Sequence, residues 1–315
     1  MEYALGIDVG GMSIKGAVID KGGKIIYKYV YECKTRSGND EFVENLKVVL
    51  DNLRDYCKEN SIEVKGCGIG IPGLVDSSKN IIVSASNIKT ENLDLNAALR
   101  DYNMNISISN DANVACLAEV KVGVAKNYKN SVLLTLGTGI GGGIVIDGKI
   151  FEGNKGQGAE LGHMVIETDG VSCGCGRRGC FEACASATAL LRYTVEEMQA
   201  DTTSLMWKLV DNDVKNVNGR TSFDAAKEAD PAAERVIYKY VKYLSTGIMN
   251  LNNIFRPEVF ILGGGVSNQG DYLLNKIKEY CQKYNYGYKN SVIPDIKCAS
   301  LKNDAGVIGA AFLVF

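Results

Sequence analysis

The first part of the chain alternates short apolar runs with glycine-containing turns. The runs read "YALGIDVGG" from residue 3, "IKGAVID" followed by the turn "KGG", and "KIIYKYVYE" up to residue 32. Short apolar runs bounded by glycine turns are typical of β-strands joined by hairpins. The pattern therefore predicts a β-meander at the start of the chain.

After the meander, the spacing of apolar residues predicts further helices and strands. Residues 40–59 carry apolar side chains three and four positions apart, which predicts a helix. "VKGCGIGIPG" predicts a buried strand that runs into a loop. The section from about 185 to 255 is mostly helical in pattern, with Asp-Pro at 230–231 as a helix start. "EVFILGGGVS" predicts a strand ending in a glycine-rich turn, and "NDAGVIGAAFLVF" predicts a closing helix.

Residues 132–151, "VLLTLGTGIGGGIVIDGKIF", repeat the order of features found in residues 5–26. Each segment has an apolar strand, a glycine-rich turn, a second strand ending in Ile-Asp, another glycine turn and Lys-Ile. A repeat period of roughly 130 residues marks duplicated domains and not a short-period solenoid. We expect two α/β domains, a small one over 1–115 with a C-terminal helix at about 303–315, and a large one over 116–302.

Composition and charge place the chain among ordinary globular proteins. Hydrophobic residues make up 46% and charged residues 23%, and the net charge of −2 argues against a nucleic acid or an anionic membrane as partner. The N-terminus lacks the basic and apolar regions of a signal peptide, and no apolar run reaches about 18 residues. These features predict a cytoplasmic protein whose ten cysteines are thiols or metal ligands and not disulfides.

Three glycine-rich turns follow apolar strands, at residues 8–15, 137–143 and 263–267. One such turn is most often only a tight hairpin, but three favour an anion site, because glycine lets backbone N–H groups approach a phosphate. Lys15 adds a cation, and the Asp8 carboxylate suits Mg²⁺. The sequence contains no G-x-x-x-x-G-K-[ST] pattern, and "GGG" at 263–265 does not match the dinucleotide pattern G-x-G-x-x-G.

Three cysteines and the single histidine of the chain form a compact group between residues 163 and 180. His163, Cys173, Cys175 and Cys180 make a Cys₃His set, which is a common composition for tetrahedral structural zinc. The glycines between the cysteines allow the sharp turns that a C-x-C pair requires. A redox C-x-C pair, plain buried thiols, and Cys184 in place of one ligand remain open alternatives at this point.

Eight segments, in order along the chain, resemble the ROK family of repressors, open reading frames and kinases, and within it the bacterial glucokinases. They are "IDVGGMSIKGAVID" at 7–20, "GIGIPG" at 68–73, "ISNDANVACLAE" at 108–119, "LGTGIGGGIVIDGKIFEG" at 136–153, "AELGHM" at 159–164, "CGCGRRGCFEACASATAL" at 173–190, "NNIFRPEVFILGGGVS" at 252–267 and "NDAGVIGAAF" at 303–312. They are spread from residue 7 to residue 312, so the resemblance extends over nearly the whole chain.

The resemblance implies an α/β, actin-like ATPase (ribonuclease H-like) fold, with two duplicated domains around a deep cleft. It implies ATP-dependent phosphorylation of glucose at the 6-hydroxyl, and a homodimer or homotetramer. Other acceptors in the family are N-acetylmannosamine, fructose, allose and β-glucosides, and a non-catalytic sugar sensor is the alternative from another class. Because the first motif begins at residue 3, we expect no room for the helix-turn-helix of the family's repressors.

The resemblance also assigns roles to residues. Asp111 is expected to be the catalytic base, although in this position Asn110 or Asp111 would equally serve as a helix N-cap. The residues expected to bind the sugar are Gly73, Asn87, Asn110, Asp111, Glu160, His163 and Glu182. Those expected to bind ATP and Mg²⁺ are Asp8, Gly10, Gly11, Met12, Ser13, Lys15, Thr138, Gly139, Gly141, Gly264 and Gly265.

The family pattern selects His163, Cys173, Cys175 and Cys180 as zinc ligands. Four protein ligands close the coordination shell, so the zinc is expected to be structural and to fix Glu160 and Glu182, which lie close to ligands in the sequence. His163 is expected to bind zinc through one ring nitrogen and a sugar hydroxyl through the other. Two departures from the family pattern are Met12, where threonine is usual, and the loop "SASNIKTEN" around Asn87.

Overall fold

The computed structural model describes residues 1–33, 38–287 and 290–315. The strands are β1 (Tyr3–Val9), β2 (Ser13–Asp20), β3 (Ile25–Glu32), β4 (Val64–Ile71), β5 (Leu74–Asp76), β6 (Ile81–Ala85), β7 (Thr90–Asp94), β8 (Ile106–Asn110), β9 (Ser131–Leu136), β10 (Ile140–Ile146), β11 (Lys149–Ile150), β12 (Val259–Gly263) and β13 (Asp295–Cys298). The helices are α1 (Asn39–Glu59), α2 (Leu95–Ala98), α3 (Asp111–Lys121), α4 (Phe181–Ala185), α5 (Ala187–Ala200), α6 (Leu205–Leu209), α7 (Thr221–Lys227), α8 (Pro231–Phe255), α9 (Asp271–Tyr284) and α10 (Ala305–Ala311).

Two five-stranded sheets have the same strand order. The first runs β3-β2-β1-β4-β8, with β1, β2 and β3 antiparallel and β4 and β8 parallel to β1. The second runs β11-β10-β9-β12-β13, with β10 and β11 antiparallel and β12 and β13 parallel. The predicted meander is confirmed, and the repeat in the sequence corresponds to the first three strands of each sheet. A third sheet, β5-β6-β7, was not predicted.

The chain divides into two compact units. Unit 1 comprises Met1–Leu133, Gly143–Ala159 and Ala299–Phe315, and unit 2 comprises Leu134–Gly142 and Glu160–Cys298. This division differs from the predicted domain bounds, which stay a prediction, because residues 116–133 and 143–159 group with the N-terminal unit. A physical reason is that α3, which runs on to Lys121, packs against α10 of unit 1, where a Cβ at Gly309 would lie 1.7 Å from the Val114 carbonyl oxygen.

In unit 1 the C-terminal helix lies directly on the first sheet. A Cβ at Gly6 or Gly68 would lie 1.9 or 1.7 Å from a backbone oxygen of α10, so only glycine permits this approach. A Cβ at Gly309 of α10 would likewise lie 1.7 Å from the carbonyl oxygen of Val114 in α3. The helix that begins at Asp111 is therefore packed firmly against α10. The predicted closing helix is confirmed.

Unit 2 is organised around the 25-residue helix α8. Asp230 caps it by accepting the N–H of Ala233 at 2.8 Å, and Pro231 occupies its first turn, as the sequence predicts. Phe181 of α4 is fully buried and packs where Gly247 leaves space on α8. This contact anchors the segment that carries Cys180 and Glu182. No helix within the described ranges is long and apolar enough to cross a membrane.

Candidate functional site

In unit 1, the junction of β8 and α3 carries Asn110 and Asp111. The Asn110 side chain caps α3, since its Oδ1 accepts the N–H of Ala112 at 2.9 Å, and its Nδ2 donates to the carbonyl of Gly73 at 3.1 Å. Asp111 is the first residue of the helix and is exposed, at the end where the helix dipole favours a negative charge. Asn110 is the N-cap residue, Asp111 Oδ1 accepts the same Ala112 N–H at 2.8 Å, and the catalytic role of Asp111 stays a prediction.

Gly73 and Asn87 lie on the loops beside this junction. Gly73 has φ +136°, and a Cβ there would lie 2.5 Å from the carbonyl oxygen of Ser84, so glycine is required. Asn87 is exposed, and its carbonyl oxygen is the nearest atom to a Cβ built at Gly11, at 3.7 Å. The structure thus joins Gly73 to Asn110 and brings the Asn87 loop to the first glycine-rich turn.

The first glycine-rich turn joins β1 to β2. Gly10 N–H donates to the Ser13 carbonyl at 2.9 Å, and the half-buried Lys15 ammonium lies 3.4 Å from Asp8 Oδ2. Met12 is 77% exposed, and its carbonyl accepts the N–H of Cys33 at 3.1 Å. An exposed position tolerates side chains of different size, so methionine is compatible with this turn.

The second and third glycine-rich turns line one cavity of about 590 Å³ within unit 2. Gly137 and Thr138 line it from the turn after β9, and Gly265 and Val266 line it from the turn after β12. Gly264 has φ +81°, and a Cβ there would lie 2.5 Å from the Leu136 carbonyl oxygen. The volume lies in the range of cofactor sites.

Further residues of this cavity were missed by sequence reasoning. They are Ala187, Leu191, Asn218, Gly219, Arg220, Asp224, Lys227, Asn268 and Gln269. Lys227 donates to Gln269 Oε1 at 3.0 Å and lies 3.6 Å from Asp224, which in turn lies 3.7 Å from Arg220. These polar residues follow no motif spacing, because they come from α7 and from loops that only the fold brings together.

His163, Cys173, Cys175 and Cys180, the Cys₃His cluster, come together in unit 2, with all their donor atoms within 4.8 Å of one another. Sγ of Cys175 and Sγ of Cys180 are 3.7 Å apart, and Sγ of Cys173 is 3.7 Å from Nδ1 of His163. Bonds of about 2.3 Å to sulfur at tetrahedral angles place two sulfurs about 3.8 Å apart. The composition of the cluster and these two separations are therefore compatible with a tetrahedral zinc ion.

The remaining features of the cluster agree with structural zinc. Gly176 and Gly179 have φ values of +87° and +68°, so the predicted sharp turns are present. The backbone N–H of Arg177 lowers the pKa of Cys175 and so favours the thiolate that a metal binds. Cys184 lies outside the set, with its Sγ 3.9 Å from Glu167 Oε2.

Glu160, His163 and Glu182 lie close together beside the cluster. His163 N–H donates to the Glu160 carbonyl at 3.1 Å, and Glu182 Oε1 is 3.7 Å from Cys173 Sγ. Desolvation by its surroundings raises the pKa of Glu160, the neighbouring charge of Glu182 raises it further, and His163 opposes both. Nδ1 of His163 lies 3.7 Å from Cys173 Sγ, so a metal bound through Nδ1 would leave Nε2 for the predicted sugar contact.

The two large sheets have the same strand order, and each begins with a glycine-rich hairpin. These features define the class of protein as one with an actin-like ATPase fold. Comparison with known proteins agrees. The model of the ROK family matches residues 4–315. A glucokinase of Halalkalibacterium halodurans is 35% identical over 99% of this chain and 94% of its own length. A ROK family glucokinase of Streptomyces griseus, solved with glucose and AMPPNP, has a TM-score of 0.81 at 30% identity and covers 99% of this chain and 98% of its own.

The chain belongs to the ROK family. The family and fold predicted from the sequence are confirmed. The family also contains repressors: a xylose repressor of Bacillus spizizenii is 28% identical over 99% of this chain and 77% of its own length.

Proposed function

We propose that this protein is a glucokinase, which transfers the γ-phosphoryl group of ATP to the 6-hydroxyl of glucose. The observation that carries the proposal is the cavity of unit 2, where two glycine-rich turns meet in a space of about 590 Å³. The kinship with glucokinases, one of them solved with glucose and an ATP analogue, supports the same activity.

The nucleotide is proposed to bind in this cavity. Thr138, Gly139 and Gly141 of one turn and Gly264 and Gly265 of the other are proposed to contact its phosphates, with Arg220 and Lys227 as nearby cations. In unit 1, the turn from Gly10 to Lys15 is proposed to bind phosphate as well. The Asp8 carboxylate is a hard oxygen donor suited to Mg²⁺, which would neutralise charge on the transferred group.

Asp111 is proposed to accept the proton of the sugar 6-hydroxyl while that oxygen attacks the γ-phosphorus. Phosphoryl transfer needs chiefly an aligned acceptor and a place for its proton, and one carboxylate supplies the latter. Gly73, Asn87 and Asn110 in unit 1, and Glu160, His163 and Glu182 in unit 2, are proposed to bind the remaining hydroxyls. A polyol offers both donors and acceptors, so carboxylates, amides and imidazole suit it.

A variant of the third glycine-rich turn tests the nucleotide site apart from the fold. A Cβ at Gly265 meets nothing within 4 Å among the described residues, although the residue lines the cavity. Gly265→Val should therefore raise KM for ATP by about tenfold or more while shifting Tm by only about 1–2 °C, since a new side chain fills binding space without strain. KM from a coupled assay and Tm from calorimetry measure both.

Gly264→Ala is the matched comparison. Its φ of +81° and the close Leu136 backbone predict a clear fall in Tm. A Gly265→Val enzyme with an unchanged KM for ATP would argue against nucleotide binding at this turn.

The proposed activity is tested with the purified chain in a coupled assay of ADP release, over glucose, N-acetylmannosamine, fructose, allose and a β-glucoside. Glucose is expected to give the highest kcat/KM, and another preferred hexose would reassign the substrate. Absence of sugar-dependent ADP release with every sugar would reject the kinase and favour the sugar-sensing alternative, which glucose binding by calorimetry would then support.

A homodimer or homotetramer is the proposed assembly, and light scattering coupled to gel filtration measures it. The cytoplasmic location likewise stays a prediction.

A further inference from the structure

The turn that joins β9 to β10, residues 137–140, is held by the segment that follows Cys180. The N–H of Ile140 donates to Glu182 Oε2 at 3.0 Å. The N–H of Ala187 donates to the Gly137 carbonyl at 2.8 Å, and the hydroxyl of Thr188 donates to the Thr138 carbonyl at 2.7 Å. The conformation of the 137–140 turn is therefore set from outside the turn.

Ile140 is held from both sides by residues next to ligands of the Cys₃His cluster. Glu182, on its N–H, lies two residues after Cys180. On its carbonyl side lies Gly162, next to His163, where a Cβ would come within 2.0 Å of the Ile140 oxygen. A metal ion bound by the cluster would join the two holding segments to each other through His163 and Cys180.

The Glu182 carboxylate is itself tightly placed. A Cβ at Gly139 would lie 2.1 Å from Glu182 Oε2, so the turn closes directly onto this oxygen. A hydrogen bond to a charged acceptor is stronger than one to a neutral group. Each carboxylate oxygen has a second lone pair, so the bond to Ile140 leaves Glu182 able to accept a hydroxyl as well.

The hydrogen bonds of the turn determine which of its N–H groups remain available to bind an anion. Gly137 N–H donates to the Gly139 carbonyl at 3.0 Å, and Gly141 N–H donates to Thr135 Oγ1 at 3.0 Å. Because the Ile140 N–H is hydrogen-bonded to Glu182, the N–H groups of Thr138 and Gly139 are the two that remain. Neither has an acceptor in the described part of the chain. Thr138 lines the unit 2 cavity.

We propose that Glu182 is a positioning residue for the nucleotide. By holding Ile140, it presents the N–H groups of Thr138 and Gly139 to a phosphate, and it makes the Cys₃His cluster a support of the nucleotide site as well as of the sugar-binding acids. The inference rests on the proposed function, since it takes the unit 2 cavity as the nucleotide site.

The test compares Glu182→Ala with Glu160→Ala in the full, zinc-loaded chain. Both remove an acid beside the cluster, but only Glu182 bonds to the turn. Calorimetric titration with Mg·ADP, without sugar, should show Kd raised about tenfold for Glu182→Ala, the usual size of effect for a supporting contact, and unchanged within about twofold for Glu160→Ala. Glu182→Gln, whose amide oxygen still accepts the Ile140 N–H, should restore most of the affinity, and Gly139→Ala, which displaces Oε2, should lose it.

Amide hydrogen exchange at Ile140 gives a readout that needs no nucleotide. The protection factor of the Ile140 amide should fall by about tenfold or more in Glu182→Ala and stay at the wild-type value in Glu160→Ala. Unchanged Mg·ADP affinity and unchanged Ile140 protection in Glu182→Ala, with glucose affinity lost, would overturn the inference and leave Glu182 a sugar ligand only. A wild-type chain that binds no Mg·ADP would instead reject the proposed function.

Discussion

Asp111→Asn is expected to lower kcat for glucose phosphorylation by about 10²–10⁴-fold, the usual contribution of a general base. The amide has nearly the shape of the carboxylate but does not accept the proton of the attacking hydroxyl. The helix should form as before, because the N-cap Asn110 is unchanged and an amide oxygen at residue 111 still accepts the Ala112 N–H that Asp111 Oδ1 accepts at 2.8 Å. Glucose affinity should change by no more than a few fold, since the remaining hydroxyl contacts are intact. Steady-state kinetics and calorimetric glucose titration measure the two quantities.

Asp40→Asn is the control for this prediction. Asp40 is likewise an exposed acid in the first turn of a helix of unit 1, α1. Its substitution by asparagine also removes one negative charge from the first turn of a helix. Its kcat and Tm should match those of the wild type. An Asp111→Asn enzyme that kept kcat within about threefold would show that the base lies elsewhere, since general-base loss exceeds that range.

The fold followed from the sequence because two different signals agreed. Alternating apolar residues with glycine turns predicted the strands of residues 3–32 and 132–151, and their common order predicted a duplication. The equal strand orders of the two large sheets confirm it. The β5-β6-β7 sheet was missed because its strands, "LVD", "IIVSA" and "TENLD", are only three to five residues long and carry no period-two apolar pattern.

The site was only partly predictable, for a related reason. Residues within one short motif, such as the four ligands of the Cys₃His cluster, could be grouped from spacing and then from the family resemblance. The residues of the unit 2 cavity that come from α7 and its preceding loop, Asn218 to Lys227, are brought to the glycine-rich turns only by tertiary packing. The bond from Ile140 to Glu182 joins residues 42 positions apart and depends on Phe181 being anchored on α8.

Cys175→Ala is expected to lower bound zinc well below one ion per chain, lower Tm by several degrees, and raise KM for glucose by about tenfold. Cys175 is exposed and fills no core space, so the fold loses a metal ligand and little packing. A structural zinc ion binds only the folded chain, so its loss removes stability directly. Glu160 and His163 share one short turn, so loss of the ion frees the backbone that aims Glu160.

Cys184→Ala separates loss of the metal from loss of a thiol. Cys184 is buried four residues after Cys180 but lies outside the Cys₃His cluster, so its variant should keep one zinc ion and the wild-type KM for glucose, at a modest cost in Tm from the lost packing. Zinc release measured with a chromogenic chelator, together with glucose kinetics, distinguishes the two variants. A Cys175→Ala chain that lost its metal and still had the wild-type KM for glucose would contradict the prediction. Loss of the ion would then leave sugar binding unchanged, so the ion would stabilise the loops without positioning Glu160 and Glu182.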